Sequence, residues 1–286
     1  MVKVFWLAMG TIAIAYTSIC LALMRWQTRL IFFPTPTLTL TPQSLGLSYE
    51  EVWLPISQAE ERLHGWWLPA TADSRGTVLF LHGNGSNVSE NLEQAYRWVK
   101  LGFNVFLFDY RGYGRSEGPF PNEQRVYEDA QVALDYLLER REIDPREIIV
   151  YGHSLGGAIA IELATHNPQV AGLVIEGSFT SLRNMVDRAG IYSLFPVNWL
   201  LSQRFDSLSK VASLPMPILY IHGTSDETVP HSMSQTLFAA TQAPKQLYLV
   251  PGAGHNDVAA VADREYLETL SEFARSLPAL SSSISP

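Results

Sequence analysis

A mostly parallel β-sheet covered by helices on both faces is the α/β architecture this 286-residue sequence predicts. Two observations predict it. Short continuous apolar runs recur along the chain, as they do in strands buried on both faces. Stretches with apolar residues at helical spacing lie between them. Repeated strand–helix alternation implies a parallel sheet, whose ligand sites lie beyond the carboxyl ends of the strands.

The elements follow in order. "SYEEVWLP" and "RLHGWWLPA" predict two antiparallel edge strands rich in aromatics. Residues 76–83, "GTVLFLHG", predict a buried strand, 88–100 a helix, and 104–110, "NVFLFDY", a second buried strand. A helix over 122–140 places Val126, Ala130, Ala133, Leu134, Leu137 and Leu138 on one stripe. "EIIVYG" (147–152) is a strand and "GGAIAIELATH" a helix. Strands at 172–177, 217–223 and 246–250 bring the sheet to eight, and a helix at 264–277 carries Leu267, Leu270, Phe273 and Leu277.

Residues 1–30 form a separate element. No charge interrupts Val4 to Met24, which is long enough as a helix to span a bilayer core of about 20 residues. That run exceeds a signal-peptide core, and "CLALM" is a poor cleavage site, so a retained single-pass membrane anchor is expected. Lys3 on one flank and Arg25 and Arg29 on the other nearly balance, so charge does not choose an orientation. Residues 31–48, rich in Thr and Pro, read as a linker, 49–277 as the main domain and 278–286 as a disordered tail. Every acidic residue lies after residue 49 and the net charge is −8, which argues against nucleic acid as a partner. Cys20 is the only cysteine, so no intrachain disulfide and no Cys-rich metal site can form. No nucleotide-binding loop or metal cluster is spelled out, and no cofactor is expected.

"YGHSLGGAIA" places Ser154 between a strand and a helix, with Gly152 two residues before it and Gly156 two after. Small neighbours are needed where a serine sits on a sharp strand-to-helix turn that lifts its hydroxyl above the sheet. A hydroxyl is a weak nucleophile unless a base takes its proton and an acid orients the base. The chain supplies both at strand ends: "IHGTSDETVP" leads to Asp226 and "PGAGHND" to His255. Ser154 is therefore the expected nucleophile, His255 the general base and then acid, and Asp226 the orienting carboxylate. Glu227, Asp257 and Glu176 are rival carboxylates, while His222 and His153 read as packing and hydrogen-bonding residues. For the oxyanion, the Leu155 backbone N–H and that of Asn84 in "LHGNGSN" are the expected donors. Two glycosylation sequons, at Asn84 and Asn87, read as chance matches.

Taken together, "LFLHGNGSN", "FDYRGYGRSEG", "YGHSLGGAIA", "IHGTSDETVP" and "PGAGHND" resemble the α/β-hydrolase superfamily across roughly residues 49–277. The serine, acid and histidine follow in that superfamily's order. The resemblance implies that Asp109 to Gly118 shapes a loop beside the site, and "GNG" stands where many relatives carry Gly-Asn-Ala. An anchor followed by "RLIFFPTP", "HGWWLP" and "HGNGSN" is similar to the membrane-anchored serine hydrolases, which include depalmitoylases and monoacylglycerol or lysophospholipid lipases. Likeness to serine aminopeptidases and prolyl-oligopeptidase-like domains is looser. The resemblance also implies a short cap at about 178–213. It carries an apolar cluster in which Tyr192, Phe195 and Trp199 could line an acyl pocket or merely pack over the sheet.

The expected activity is hydrolysis of a small-molecule or lipid-like ester or thioester, as in carboxylesterases, lipases and thioesterases. A serine peptidase uses the same triad and remains the enzymatic rival. A non-catalytic binding protein on the same fold would require a broken triad.

Overall fold

The aromatic-rich segments pair first: β1 (Glu50–Pro55) runs antiparallel to β2 (Arg62–Leu68), with Trp53 opposite His64. The structure, a computed structural model, describes residues 1–56 and 60–281. β3 (Thr77–Leu81), β4 (Asn104–Phe108), β5 (Ile148–His153), β6 (Gly172–Glu176), β7 (Ile218–Gly223) and β8 (Lys245–Val250) complete one sheet in the order β1-β2-β4-β3-β5-β6-β7-β8. Pairing is antiparallel only where β2 meets β1 and β4; the others are parallel. Parallel strands covered on both sides read as unbroken apolar runs, and every residue of β3, β6 and β7 is buried.

The helices are α1 (Val2–Ile31), α2 (Leu92–Lys100), α3 (Glu123–Glu139), α4 (Leu155–His166), α5 (Leu182–Ala189), α6 (Val197–Leu200), α7 (Leu208–Val211), α8 (His231–Ala240), α9 (Val258–Ala262), α10 (Arg264–Ser276) and α11 (Pro278–Ser281). One core forms where α3, α4 and α8 cover the sheet, and a second where α2, α9 and α10 cover its other face. The expected stripe of α3 is buried except for half-buried Leu138, and Asn122 caps the helix by accepting from the Arg125 N–H at 2.9 Å. α5, a short 3-10 turn (Ile191–Leu194) and α6 build the cap above the carboxyl ends of the strands.

Three expectations need correction. The helix expected from residue 88 starts at Leu92, because Asn87 Oδ1 accepts from the Ser89 N–H at 2.9 Å and Asn91 Nδ2 donates to the Asn87 carbonyl at 2.8 Å. Such side-chain bonds hold the backbone out of a helix. The stretch read as a linker is a docked strap. Phe32 is buried, the Gly114 N–H donates to the Thr35 carbonyl at 3.0 Å, and the Thr39 N–H donates to Ser89 Oγ at 2.9 Å. The stretch read as a tail begins with α11, whose Leu280 is buried; residues 282–286 lie outside the described residues. In α10 the core position is taken by Tyr266, with Leu267 only half-buried. α1 is long and apolar enough to cross a membrane by length and composition, a property signal sequences share.

Candidate active site

β5 ends at His153 and α4 begins at Leu155, so the chain reverses on a single residue. That residue, Ser154, has φ 54° and ψ −116°, a conformation L side chains rarely adopt and one costing about 1–3 kcal/mol. Crowding explains the flanking glycines. A Cβ on Gly152 would collide with the Gly156 carbonyl, and one on Gly156 with the Leu81 carbonyl. The turn is pinned on both sides: the Ser154 N–H donates to the Glu176 carbonyl at 2.8 Å, and Ser178 Oγ donates to the Ser154 carbonyl at 2.8 Å.

Above the sheet, Ser154 Oγ lies 3.0 Å from His255 Nε2, and His255 Nδ1 lies 2.6 Å from Asp226 Oδ2. A carboxylate only accepts, so Nδ1 carries the proton and Nε2 is left to accept from the serine hydroxyl. Asp226 is heavily bonded. Its Oδ1 accepts from the Thr228 and Val229 N–H groups at 2.9 and 2.8 Å, and Oδ2 also receives His222 Nε2 at 3.1 Å. Burial alone would push this carboxyl up; the hydrogen bonds from His222, His255 and Val229 outweigh it and hold the group well below the ordinary carboxylate range.

His222, expected as a packing residue, therefore positions the acid. Its Nε2–H is shared between the Val229 carbonyl at 2.8 Å and Asp226, while Nδ1 accepts from Ser234 Oγ at 2.7 Å. Only its place four residues before Asp226 hinted at this. His153 sits against His255, ring centroids 5.0 Å apart, and donates from Nε2 to the His255 carbonyl at 3.1 Å. Burial pushes its imidazole down to about 4, with the neighbouring His255 adding to the effect, so it stays neutral. Among the rival carboxylates, Glu176 is buried and accepts from Tyr151 Oη at 3.0 Å and Tyr266 Oη at 2.5 Å, and Asp257 accepts from the Gly254 N–H. Neither carboxylate is bonded to His255.

Ser154 opens into a cavity of about 700 Å³, lined by Gly83, Asn84 and Leu155 at its floor. The Leu155 N–H opens α4, at the end where helical N–H groups have no intrahelical acceptor. The Asn84 side chain bonds to other segments of the chain. Its Nδ2 donates to the Ile31 carbonyl at 2.6 Å, and its Oδ1 accepts from the Phe33 N–H at 3.0 Å and Tyr113 Oη at 2.7 Å. Ile31, Phe179, Leu182 and Met185 make an apolar wall, and Glu90, Glu93, Gln94 and Arg97 a polar one. Among the described residues no group of His, Cys, Asp and Glu is placed to hold a metal ion.

Residues 72–210 match the family model described as serine aminopeptidase, S33. The chain is 36% identical over 263 residues to an uncharacterized protein of Mycobacterium tuberculosis, covering 92% of each. It is 34% identical to the alpha/beta hydrolase domain-containing protein WAV2 of Arabidopsis thaliana, covering 92% of this chain and 91% of that one. It is 32% identical to protein bem46 of Schizosaccharomyces pombe, covering 87% and 86%. The chain belongs to the α/β-hydrolase superfamily. Its fold matches that of an esterase from Pyrococcus furiosus with a TM-score of 0.71 at 22% identity, over 86% of this chain and 98% of that one.

In this hydrolase the Asp109–Gly118 stretch supports the loop after β3. Asp109 Oδ1 accepts from the Val88 N–H at 2.8 Å, and Tyr113 reaches Asn84 as described. Of the three cap residues expected to line an acyl pocket, Trp199 departs from the expectation. Trp199 is 88% exposed and lines neither described cavity, because α6 is a single turn that buries only Val197. Tyr192 and Phe195 line a second, adjoining cavity rather than the one around Ser154. The part of that cavity's wall supplied by α1 was not foreseen, since an apolar run carries no sign of which side chains return to the domain.

Proposed function

We propose that the protein is a membrane-anchored serine hydrolase acting on carboxylic esters or thioesters of an amphiphilic acyl substrate. The relay Ser154–His255–Asp226, with spacings of 3.0 and 2.6 Å at the floor of a two-sided cavity, carries this reading. Ser154 Oγ attacks the acyl carbon as its proton passes to His255 Nε2. The imidazolium is stabilised by Asp226, and the carbonyl oxygen becomes an oxyanion. The N–H groups of Leu155 and Asn84 are the assigned donors to it, worth about 3–4 kcal/mol each by analogy with other oxyanion holes. Collapse breaks the bond to the leaving oxygen or sulfur, which takes the proton from Nε2 and departs as alcohol or thiol. Water then attacks the acyl-enzyme with His255 as base, releasing the carboxylic acid and restoring Ser154.

Ser154→Ala is expected to abolish hydrolysis of p-nitrophenyl butyrate and labelling by a fluorophosphonate. Persistent labelling would refute the assignment. A second reading, an aminopeptidase, draws on the description of the matching family model and on Glu90 and Glu93 in the polar wall, which could receive a free amine. Turnover of aminoacyl amides well above that of acyl esters would select it.

A further inference from the structure

We propose that α1 is part of the substrate site as well as the anchor: its carboxyl-terminal turns and the cap enclose an acyl-chain channel that leads from the bilayer to Ser154. This rests on the serine-hydrolase reading above and names its substrate as an acyl chain resident in the membrane.

A cavity of about 270 Å³ lies between the two elements, with Leu23, Leu30 and Ile31 from α1 facing Met185, Phe195 and Leu201 from the cap. Gln27 also lines it, yet its amide is spent on backbone. Nε2 donates to the Met24 and Leu200 carbonyls at 2.9 and 3.1 Å, and Oε1 accepts from the Ser202 and Gln203 N–H groups at 2.8 and 3.3 Å. An amide has two donors and two acceptor sites, so Gln27 has nothing left to bind a ligand. The Tyr192 hydroxyl is the one other polar side-chain group in a lining otherwise apolar, so the occupant that fits is a hydrocarbon chain. Ile31, Leu182 and Met185 line this cavity and the Ser154 cavity alike, so the two meet at those side chains.

The other end lies at membrane depth. Tyr16 Oη donates to the Leu194 carbonyl at 3.0 Å, and its ring stacks on Phe195 with centroids 5.7 Å apart. Tyr16 is eight residues inside the charge-free run that ends at Met24, or about 12 Å along the helix. The cap tip thus sits beside the part of α1 that would lie in the hydrocarbon core of one leaflet. Its outward side chains suit that setting: Ile191, Leu194 and Trp199 are all exposed and apolar, and Trp favours the membrane interface. An acyl chain could pass sideways between α1 and the cap while its polar end stays with the wall formed by α2.

The test uses full-length protein in phosphatidylcholine vesicles, comparing kcat/KM for p-nitrophenyl laurate and p-nitrophenyl butyrate. Ala189→Trp blocks the channel from the cap and Leu23→Trp from α1. The laurate-to-butyrate ratio is expected to fall about tenfold in each, because the indole denies burial to part of the laurate chain and leaves the short butyryl chain untouched. Should Ala189→Trp fail to fold, Leu23→Trp decides. A ratio within about threefold of wild type in the folded variants, or wild type that turns over butyrate but not laurate, overturns the channel. Absence of any ester turnover and of Ser154-dependent fluorophosphonate labelling overturns the hydrolase reading instead.

Discussion

Asn84 caps the carboxyl end of α1: its Nδ2 donates to the Ile31 carbonyl at 2.6 Å, one of the carbonyls a helix leaves without an internal partner. The same side chain accepts from Phe33 and Tyr113, so one residue joins the membrane-length helix, the strap and the loop after β3.

Replacing Asn84 by Ala removes all three bonds. The expected loss is about 2 kcal/mol of stability and about tenfold in ester turnover, as buried partners go unmet and the loop loses its tie. Asn84→Asp keeps the two acceptor bonds but turns a carboxylate oxygen toward the Ile31 carbonyl at the negative end of α1, and should lose at least as much. Denaturant unfolding and steady-state kinetics on the two variants measure this; wild-type stability and turnover in Asn84→Asp would disprove the cap's contribution.

Asp226→Asn should lower kcat by about 10⁴, because an amide no longer enforces the Nδ1–H tautomer of His255. It should also change stability in a pH-dependent way. The folded carboxyl sits below its ordinary value, so the stability it adds is fully present above the unfolded value near 3.9 and is lost as pH falls below it. The gap in Tm between wild type and variant should narrow from about pH 5 downward. A gap that widens on acidification would contradict this.

Glu176 runs the other way. Burial raises its carboxyl, and the Tyr266 and Tyr151 hydroxyls offset this only in part. Its folded form holds the proton more tightly than the unfolded form, so its ionisation costs stability as pH rises from about 4.5. Glu176→Gln keeps an acceptor for both hydroxyls and removes the charge. Its Tm relative to wild type should rise as pH increases above the ordinary carboxyl value of about 4.5. A flat difference would show that the carboxyl titrates at its ordinary value.

Gly156→Ala places a methyl group against the Leu81 and His82 carbonyls at the crossing of β3 and α4. Backbone cannot yield there, and a loss of ~4 kcal/mol or more is expected. Expression yield and thermal unfolding would register it. A stable, active variant would mean that the elbow is looser than its geometry implies.

Local pattern alone was enough to reveal the sheet, because each buried parallel strand must be apolar throughout and each covering helix must show its stripe. β3 and β7, read from "GTVLFLHG" and "PILYIHG", appear within a residue or two of their expected bounds. The loop positions of Ser154, Asp226 and His255 were legible for the same reason: strand ends and glycine-rich turns are local features. Their meeting was not. Distances of 3.0 and 2.6 Å between residues up to 101 positions apart exist only once β5, β7 and β8 lie in one sheet.

What composition hid was the work of polar residues between elements. The chain gives no sign of the bonds that the Asn84, Gln27 and His222 side chains make, since a hydrogen-bond partner is defined by space rather than by spacing. The strap at 32–48 looked like a linker because Thr and Pro suit unstructured backbone as well as backbone bonded to other loops. Trp199 looked like a pocket residue because hydrophobicity says that a side chain avoids water, without saying what it turns toward. Apolar periodicity and turn chemistry act over a few residues, and they settled the elements and their order. Directional bonds and shared walls act between distant segments, and only the folded chain could decide which groups meet at Ser154 and which helix lies beside them.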